Sequence, residues 1–226
     1  GTVHIIAISG QHISLVFEIL WILLYPFLYL RGGGYFRTII ALLSIWVFCF
    51  LAGGEASVLR AGIMFTALHL GRWLQRPITG EQALGLSMMI LLIADPDWLF
   101  DVGFQLSHAA VMGMLLFQAR LAKKLSLQNP ILKSIGSSAC MTIAATIGTL
   151  PLTAIYFRQF PLLFLPANLI AVPLSSIVLM GLFLLIPLTV WPDGATIWGY
   201  CLGALLDGMN GWVERLDRIP GMVWRW

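Results

Sequence analysis

Charged residues are so sparse along this chain that they divide it into long uninterrupted apolar runs, and that spacing constrains the fold more than any motif. Counting histidine as neutral, the charge-free stretches are 1–17, 19–30, 38–54, 61–71, 82–94, 102–119, 134–157, 159–192 and 194–206. A helical membrane crossing takes about 20 mostly apolar residues, and several of these runs reach or approach that length. The chain has 226 residues, 59% hydrophobic and 10% charged, with mean hydropathy +0.91. A soluble domain carries about 25% charged residues, so too little polar surface exists here to cover a body in water, and most of the exterior must face lipid. No length remains for a soluble catalytic domain. The chain begins at Gly1 without Met and enters an apolar run almost at once, which reads as a piece of a longer protein.

The apolar pattern predicts helices at 4–30, 36–52, 56–74, 79–94, 102–118, 134–150, 163–190 and 195–213. The expected fold is all-α: a polytopic transmembrane helical bundle of about 7–8 spans, forming a single domain over 1–226. The seventh segment contains Pro166, Pro173 and Pro187. Each proline removes a backbone donor, so this segment is expected to be broken or re-entrant. The tail 212–226, with three tryptophans among charges, reads as an amphipathic piece at headgroup level.

Loop charges alternate in sign. Arg31 and Arg37, then Arg72 and Arg76, then Arg120, Lys123, Lys124 and Lys133 mark the first, third and fifth loops; Glu55 and the trio Asp95, Asp97 and Asp101 mark the second and fourth. The positive-inside rule puts the basic loops in the cytoplasm, so both ends of the chain are expected outside.

Polar residues within the spans are the candidate functional groups. In the first span Gln11, Ser14 and Glu18 recur at i, i+3 and i+7 on one face, and Ser9 and His12 make a second patch. A charge at bilayer depth is unfavourable by about 2.5–3.5 kcal/mol on insertion scales, so Glu18 must be paired, protonated or turned to water. Arg60, in Ser57-Val58-Leu59-Arg60-Ala61, is expected near the outer start of the third span. It either snorkels to the interface or meets a phosphate, Glu55 or Asp101. Gln105 and His108 lie three apart in an apolar helix and need partners, whereas Asp95-Pro96 stops the fourth helix and Asp101 is suited to cap the fifth. Asn168, between Pro166 and Pro173, is suited to bond backbone freed by a break. Interhelical hydrogen bonding and the lining of a hydrophilic path both remain open for these groups.

Other chemistry is not written in the chain. Cys49, Cys140 and Cys201 lie in apolar runs with no spacing for zinc or a disulfide framework, and read as small apolar fillers. There is no GxxxxGK[ST], GxGxxG or HExxH pattern. No metal, no cofactor and no enzymatic activity are therefore expected. Ser9 and His12 sit one turn apart on a single helix without an orienting third group, a poor start for a hydrolase.

Four short blocks carry a family resemblance. They are His4-Ile5-Ile6-Ala7-Ile8-Ser9-Gly10-Gln11-His12-Ile13; Ser57-Val58-Leu59-Arg60-Ala61; Asp95-Pro96 followed by Gly103-Phe104-Gln105-Leu106-Ser107; and Ala167-Asn168-Leu169-Ile170-Ala171-Val172-Pro173. In this order they resemble the transmembrane competence domain of ComEC-type DNA-internalisation proteins, over about residues 4–176. Gln11 replaces the family's commoner Leu, and His108 stands where Phe is frequent. The resemblance implies a channel in the bacterial inner membrane that passes single-stranded DNA into the cytoplasm during natural transformation. Its implied partners are the strand itself, the lipid bilayer, an external DNA receptor, a cytoplasmic DNA-translocating motor or single-strand-binding proteins, and further copies in a homo-oligomer. Any nuclease activity would belong to a metallo-β-lactamase-like domain, which this chain lacks. Lining groups are expected from Ser9, Gly10, Gln11, His12 and Glu18 on the first span, Arg60 at the mouth, Gln105, Ser107 and His108 on the fifth, and Asn168 at the break. Asp95, Pro96, Asp101, Gly103, Phe104, Pro166 and Pro173 are expected to shape the backbone. A small-solute permease and a non-conducting assembly subunit stay open as rival readings.

Overall fold

In the computed structural model, residues 10–29, 33–124, 129–161, 164–217 and 223–225 are described. Among these, eight α-helices follow one another: α1 (Gly10–Leu23), α2 (Gly33–Leu51), α3 (Ala56–Trp73), α4 (Gly80–Ala94), α5 (Val102–Lys124), α6 (Pro130–Phe157), α7 (Phe164–Leu188) and α8 (Pro192–Asp217). Short 3-10 turns at Tyr25–Tyr29 and Pro96–Phe100 join α1 to α2 and α4 to α5. The protein is an all-α membrane bundle.

Among the described residues four helices have the length and apolarity of a membrane span: Gly33–Leu51, Val102–Lys124, Leu132–Phe157 and Leu165–Leu185. The apolar stretch of α1 and the whole of α4 are shorter, while α3 carries Arg60 and Arg72, and α8 carries Asp193, Asp207, Glu214 and Arg215. Each expected helix has a counterpart among the described residues, where four qualify as spans by length and composition and the first is described only from Gly10. Large apolar side chains such as Phe50, Ile93 and Ile155 are exposed around the bundle, as a lipid-facing exterior requires.

The seventh segment differs from expectation. It is one continuous helix with Pro173 and Pro187 inside it. Pro166 lies in its first turn, where the missing N–H has no intrahelical partner. Pro173 forfeits a single ladder bond in a helix of 25 residues. The C-terminal piece also differs: α8 extends to Asp217, and Val223–Arg225 pairs antiparallel with Gln159–Pro161 as a short two-stranded ladder.

The core near the chain start is a seam of small and branched residues. On α2, Arg37, Ala41, Ile45 and Cys49 are buried at four-residue spacing, one face of a helix. Ala41, Ile45 and Cys49 meet Ile13 and Phe17 of α1 and Val58 and Ala61 of α3. The α2–α3 turn is tight because Gly53 and Gly54 take left-handed backbone, φ +88° and +64°, and close back onto Phe50 and Cys49 carbonyls. A second cluster joins α3, α4 and α5 through Ile63, Leu91 and Phe104.

Helix ends are defined by local chemistry. Thr79 and Gln82 form a reciprocal capping box at the start of α4. Asp95 accepts from Asp97 N–H and starts the 3-10 turn, with Pro96 at its first position. Asp101 Oδ1 accepts from the Phe104 N–H at 2.6 Å and caps α5.

Candidate functional site: a buried arginine where three helices converge

Helix α1 packs against α3 and α7, and α3 packs against α5. Their N-terminal ends share one end of the bundle. A Cβ placed on Gly10 of α1 would lie 3.3 Å from both Arg60 Nη2 and Ala61 Cβ of α3, so this glycine lets the guanidinium lie against the α1 backbone. Gly54, Glu55 and Ser57 at the start of α3 share a cavity of about 390 Å³ with Trp98, Asp101 and Gly103 at the start of α5.

Arg60 is buried, at 7% exposure. Its Nη1 points at Met64 Sδ, 3.6 Å away, a weak acceptor, and among the described residues its Nε has no hydrogen-bond partner. It therefore does not snorkel to the interface. On α5, which packs against α3, His108 is buried too. Its Nδ1–H donates to Phe104 O at 2.9 Å, which fixes the proton on that nitrogen because a carbonyl only accepts. The other ring nitrogen faces Ser87 Oγ of α4 at 3.5 Å, while the Ser87 hydroxyl donates to Leu84 O at 2.7 Å. With its proton directed at the carbonyl, Ser87 is not set up as a nucleophile.

The other predicted residues are placed as follows. Gln105 Nε2 donates to Leu99 O at 2.7 Å and ties α5 to the preceding turn, and the Ser107 hydroxyl donates to Phe104 O. Gln105 and His108 border a mostly apolar cavity of about 520 Å³ between α4, α5 and α6. Glu18 is exposed, about 12 Å along α1 from Gly10, and is not drawn into the Arg60 cluster. Asn168 is half-buried on α7, which touches α1. Ser9 lies outside the described residues, as do the side chains of Gln11 and His12.

Sequence reasoning missed Ser87, whose signal was a lone hydroxyl in the apolar run of α4. It also missed the role of Arg37. That side chain donates through Nε at 3.1 Å, and through Nη2, to Trp21 O in the last turn of α1, and lies 3.8 Å from the Trp21 ring centroid. His69 packs against Phe17, ring centroids 4.3 Å apart, beside the same seam. Among the described residues there is no group of three or more His, Cys, Asp or Glu able to hold a metal ion.

Chemically, the cluster offers one permanent positive charge and one imidazole behind an acidic rim. Glu55 and Asp101 would repel a polyanion at the cavity, so the attraction available to phosphate is confined to Arg60, one turn along α3 from Ser57.

Comparison with known proteins supplies the wider context. The chain matches the family described as "Competence protein" over residues 1–226. It is 30% identical over 173 residues to "ComE operon protein 3" of Bacillus subtilis, covering 76% of this chain and 21% of that protein. It is 27% identical over 226 residues to "Recombination protein 2" of Haemophilus influenzae, covering 95% of this chain and 28% of that one. The chain thus spans less than a third of either relative. No solved structure matches it.

Proposed function

Because the chain belongs to the Competence protein family, whose role is in DNA uptake, we propose that this bundle is the membrane passage by which one strand of DNA enters the bacterial cytoplasm. A polyanion crosses a low-dielectric layer only where polar or cationic groups substitute for water. The observation that carries the reading is the convergence of α1, α3 and α5 on Arg60, a buried cation whose Nε lacks a partner among the described residues.

In this reading the protein lies in the inner membrane with both ends outside. Loop charge sets that orientation: Arg120, Lys123, Lys124 and Lys133 lie at the tip of the α5–α6 hairpin and face the cytoplasm, while Glu55 and Asp101 face outward. The strand enters beside Gly10 and Arg60, with His108 deeper. It is received inside by a motor or by single-strand-binding proteins, since the chain carries no nucleotide-hydrolysis motif. An external receptor presents the DNA. The domain conducts and does no chemistry on the strand.

The test is entry of labelled DNA into a strain deleted for the gene and complemented with it. Complementation is expected to restore strand entry, and Arg60→Ala to abolish it with membrane level and surface DNA binding unchanged. Strand entry in the deletion strain equal to wild type overturns the passage.

A further inference from the structure

Among the described residues two arginines are buried to the same 7% exposure, and their described neighbours answer only one of them fully. Arg37 gives Nε and Nη2 to the Trp21 carbonyl and lays its plane on the Trp21 ring. Arg60 has a thioether at 3.6 Å and an Nε without a partner among the described residues. Arginine does not shed its proton in proteins. A buried charge left short of partners is strongly unfavourable, so retaining it makes physical sense where an anion shares the burial.

We infer that Arg60 is a phosphodiester-binding point inside the bundle, with Gly10 as the residue whose missing side chain lets the fork lie where it does. This rests on the passage reading and deepens it by assigning the contact that holds the strand. A guanidinium fork matches the two non-bridging oxygens of a phosphodiester. Gly10 lets Nη2 lie against the α1 backbone, and a larger side chain would push the fork aside, since even a Cβ there would lie 3.3 Å from it. A single arginine holds the anion, so it can be released. A phosphodiester occurs both in a DNA strand and in a lipid headgroup, and the experiment separates the two.

The full chain, purified in detergent, is titrated with a thymidine tetranucleotide, with an abasic deoxyribose-phosphate tetramer and with short-chain phosphatidylglycerol. The two tetramers are expected to bind alike. Arg60→Met should weaken both by about tenfold or more, Gly10→Val should weaken both with the charge intact, and Arg60→Lys should fall between, because it keeps charge and loses the fork. Arg60→Met should also raise the thermal midpoint of the unliganded protein, since it replaces an under-partnered buried charge by an apolar chain. Wild-type affinity in Arg60→Met overturns the site, as does a lowered midpoint in that variant. Binding of phosphatidylglycerol alone keeps the site and detaches it from the strand. The passage is read separately in cells: if the wild-type gene restores strand entry while Arg60→Met binds the tetramers normally, the site falls and the passage stands.

Discussion

Gly113 of α5 and Gly148 of α6 meet backbone to backbone: a Cβ on either would fall 2.9 Å from the Cα of the other. A Cβ on Gly113 would also run into Ala144 O, and one on Gly148 into Ala109 O, so neither can be relieved by a side-chain rotation. This contact brings α5 and α6 to backbone distance within the hairpin that ends in the basic tip. Without a hydrophobic force between helices in lipid, such small-residue contacts are what let helices associate.

Gly113→Ala and Gly148→Ala are each expected to destabilise the protein by about 1–3 kcal/mol, the range for overpacking. Gly199→Ala on α8 serves as the control, because nothing lies within 4 Å of its Cβ position. That change should be neutral or stabilise by up to about 1 kcal/mol through helix propensity. Thermal midpoints in detergent measure all three, and equal losses in the three variants would refute the contact.

The two buried arginines should respond in opposite directions. Arg37→Met leaves the Trp21 carbonyl without its donors and removes the cation from the ring, so a loss of about 2–3 kcal/mol is expected from a charged hydrogen bond and a cation–π contact. Arg37→Lys should recover part of it, since an ammonium can reach the carbonyl but does not stack as a plane. Midpoints of Arg37→Met and Arg60→Met measured side by side separate a structural arginine from a ligand-binding one.

The course of the chain was legible from the spacing of charges, because a charge in lipid is unfavourable enough to be pushed to helix ends. Its limits show at α5 and α6. The sequence predicts 102–118 and 134–150, but the helices extend over Val102–Lys124 and Pro130–Phe157. Charges mark where lipid ends, and a helix can continue into the headgroup region carrying Arg120, Lys123 and Lys124 with it. Prolines misled for a related reason: Pro166 in a first turn forfeits nothing, while Pro173 inside α7 leaves the ladder around it intact. Partnerships were the least legible. Gly199 and Gly203 have the local spacing of a packing motif, yet the structure leaves open space beside both. Gly113 and Gly148 are 35 positions apart, and no local pattern announces such a pair. The candidate site was legible as residue types, Arg60 and His108 in apolar helices. That Ser87 stands opposite His108 needed the packing of α4 on α5.

Gln75 follows α3 with φ +56°, a left-handed conformation that bulky residues adopt at a penalty. Its N–H closes on Arg72 O and the next N–H on Gly71 O, so the turn is held in that shape. Gln75→Gly should raise stability by about 0.5–1 kcal/mol, and Gln75→Val should lower it. A drop in midpoint for the glycine variant would show that the side chain contributes more than its backbone strain removes.

Asp101 has two roles that one pair of variants can separate. Its carboxylate caps α5 by accepting the Phe104 N–H, and it adds a negative charge to the cavity it shares with Glu55. Asp101→Asn keeps an acceptor at the cap and removes the charge; Asp101→Ala removes both. If the cap alone matters, alanine should lower stability by about 1 kcal/mol and asparagine by far less. If the charge also repels an incoming strand, asparagine should bind a thymidine tetranucleotide more tightly than wild type at low salt, and the gain should vanish as salt screens the cavity. Unchanged affinity in Asp101→Asn across the salt series would place the strand away from the cavity that Glu55 and Asp101 share.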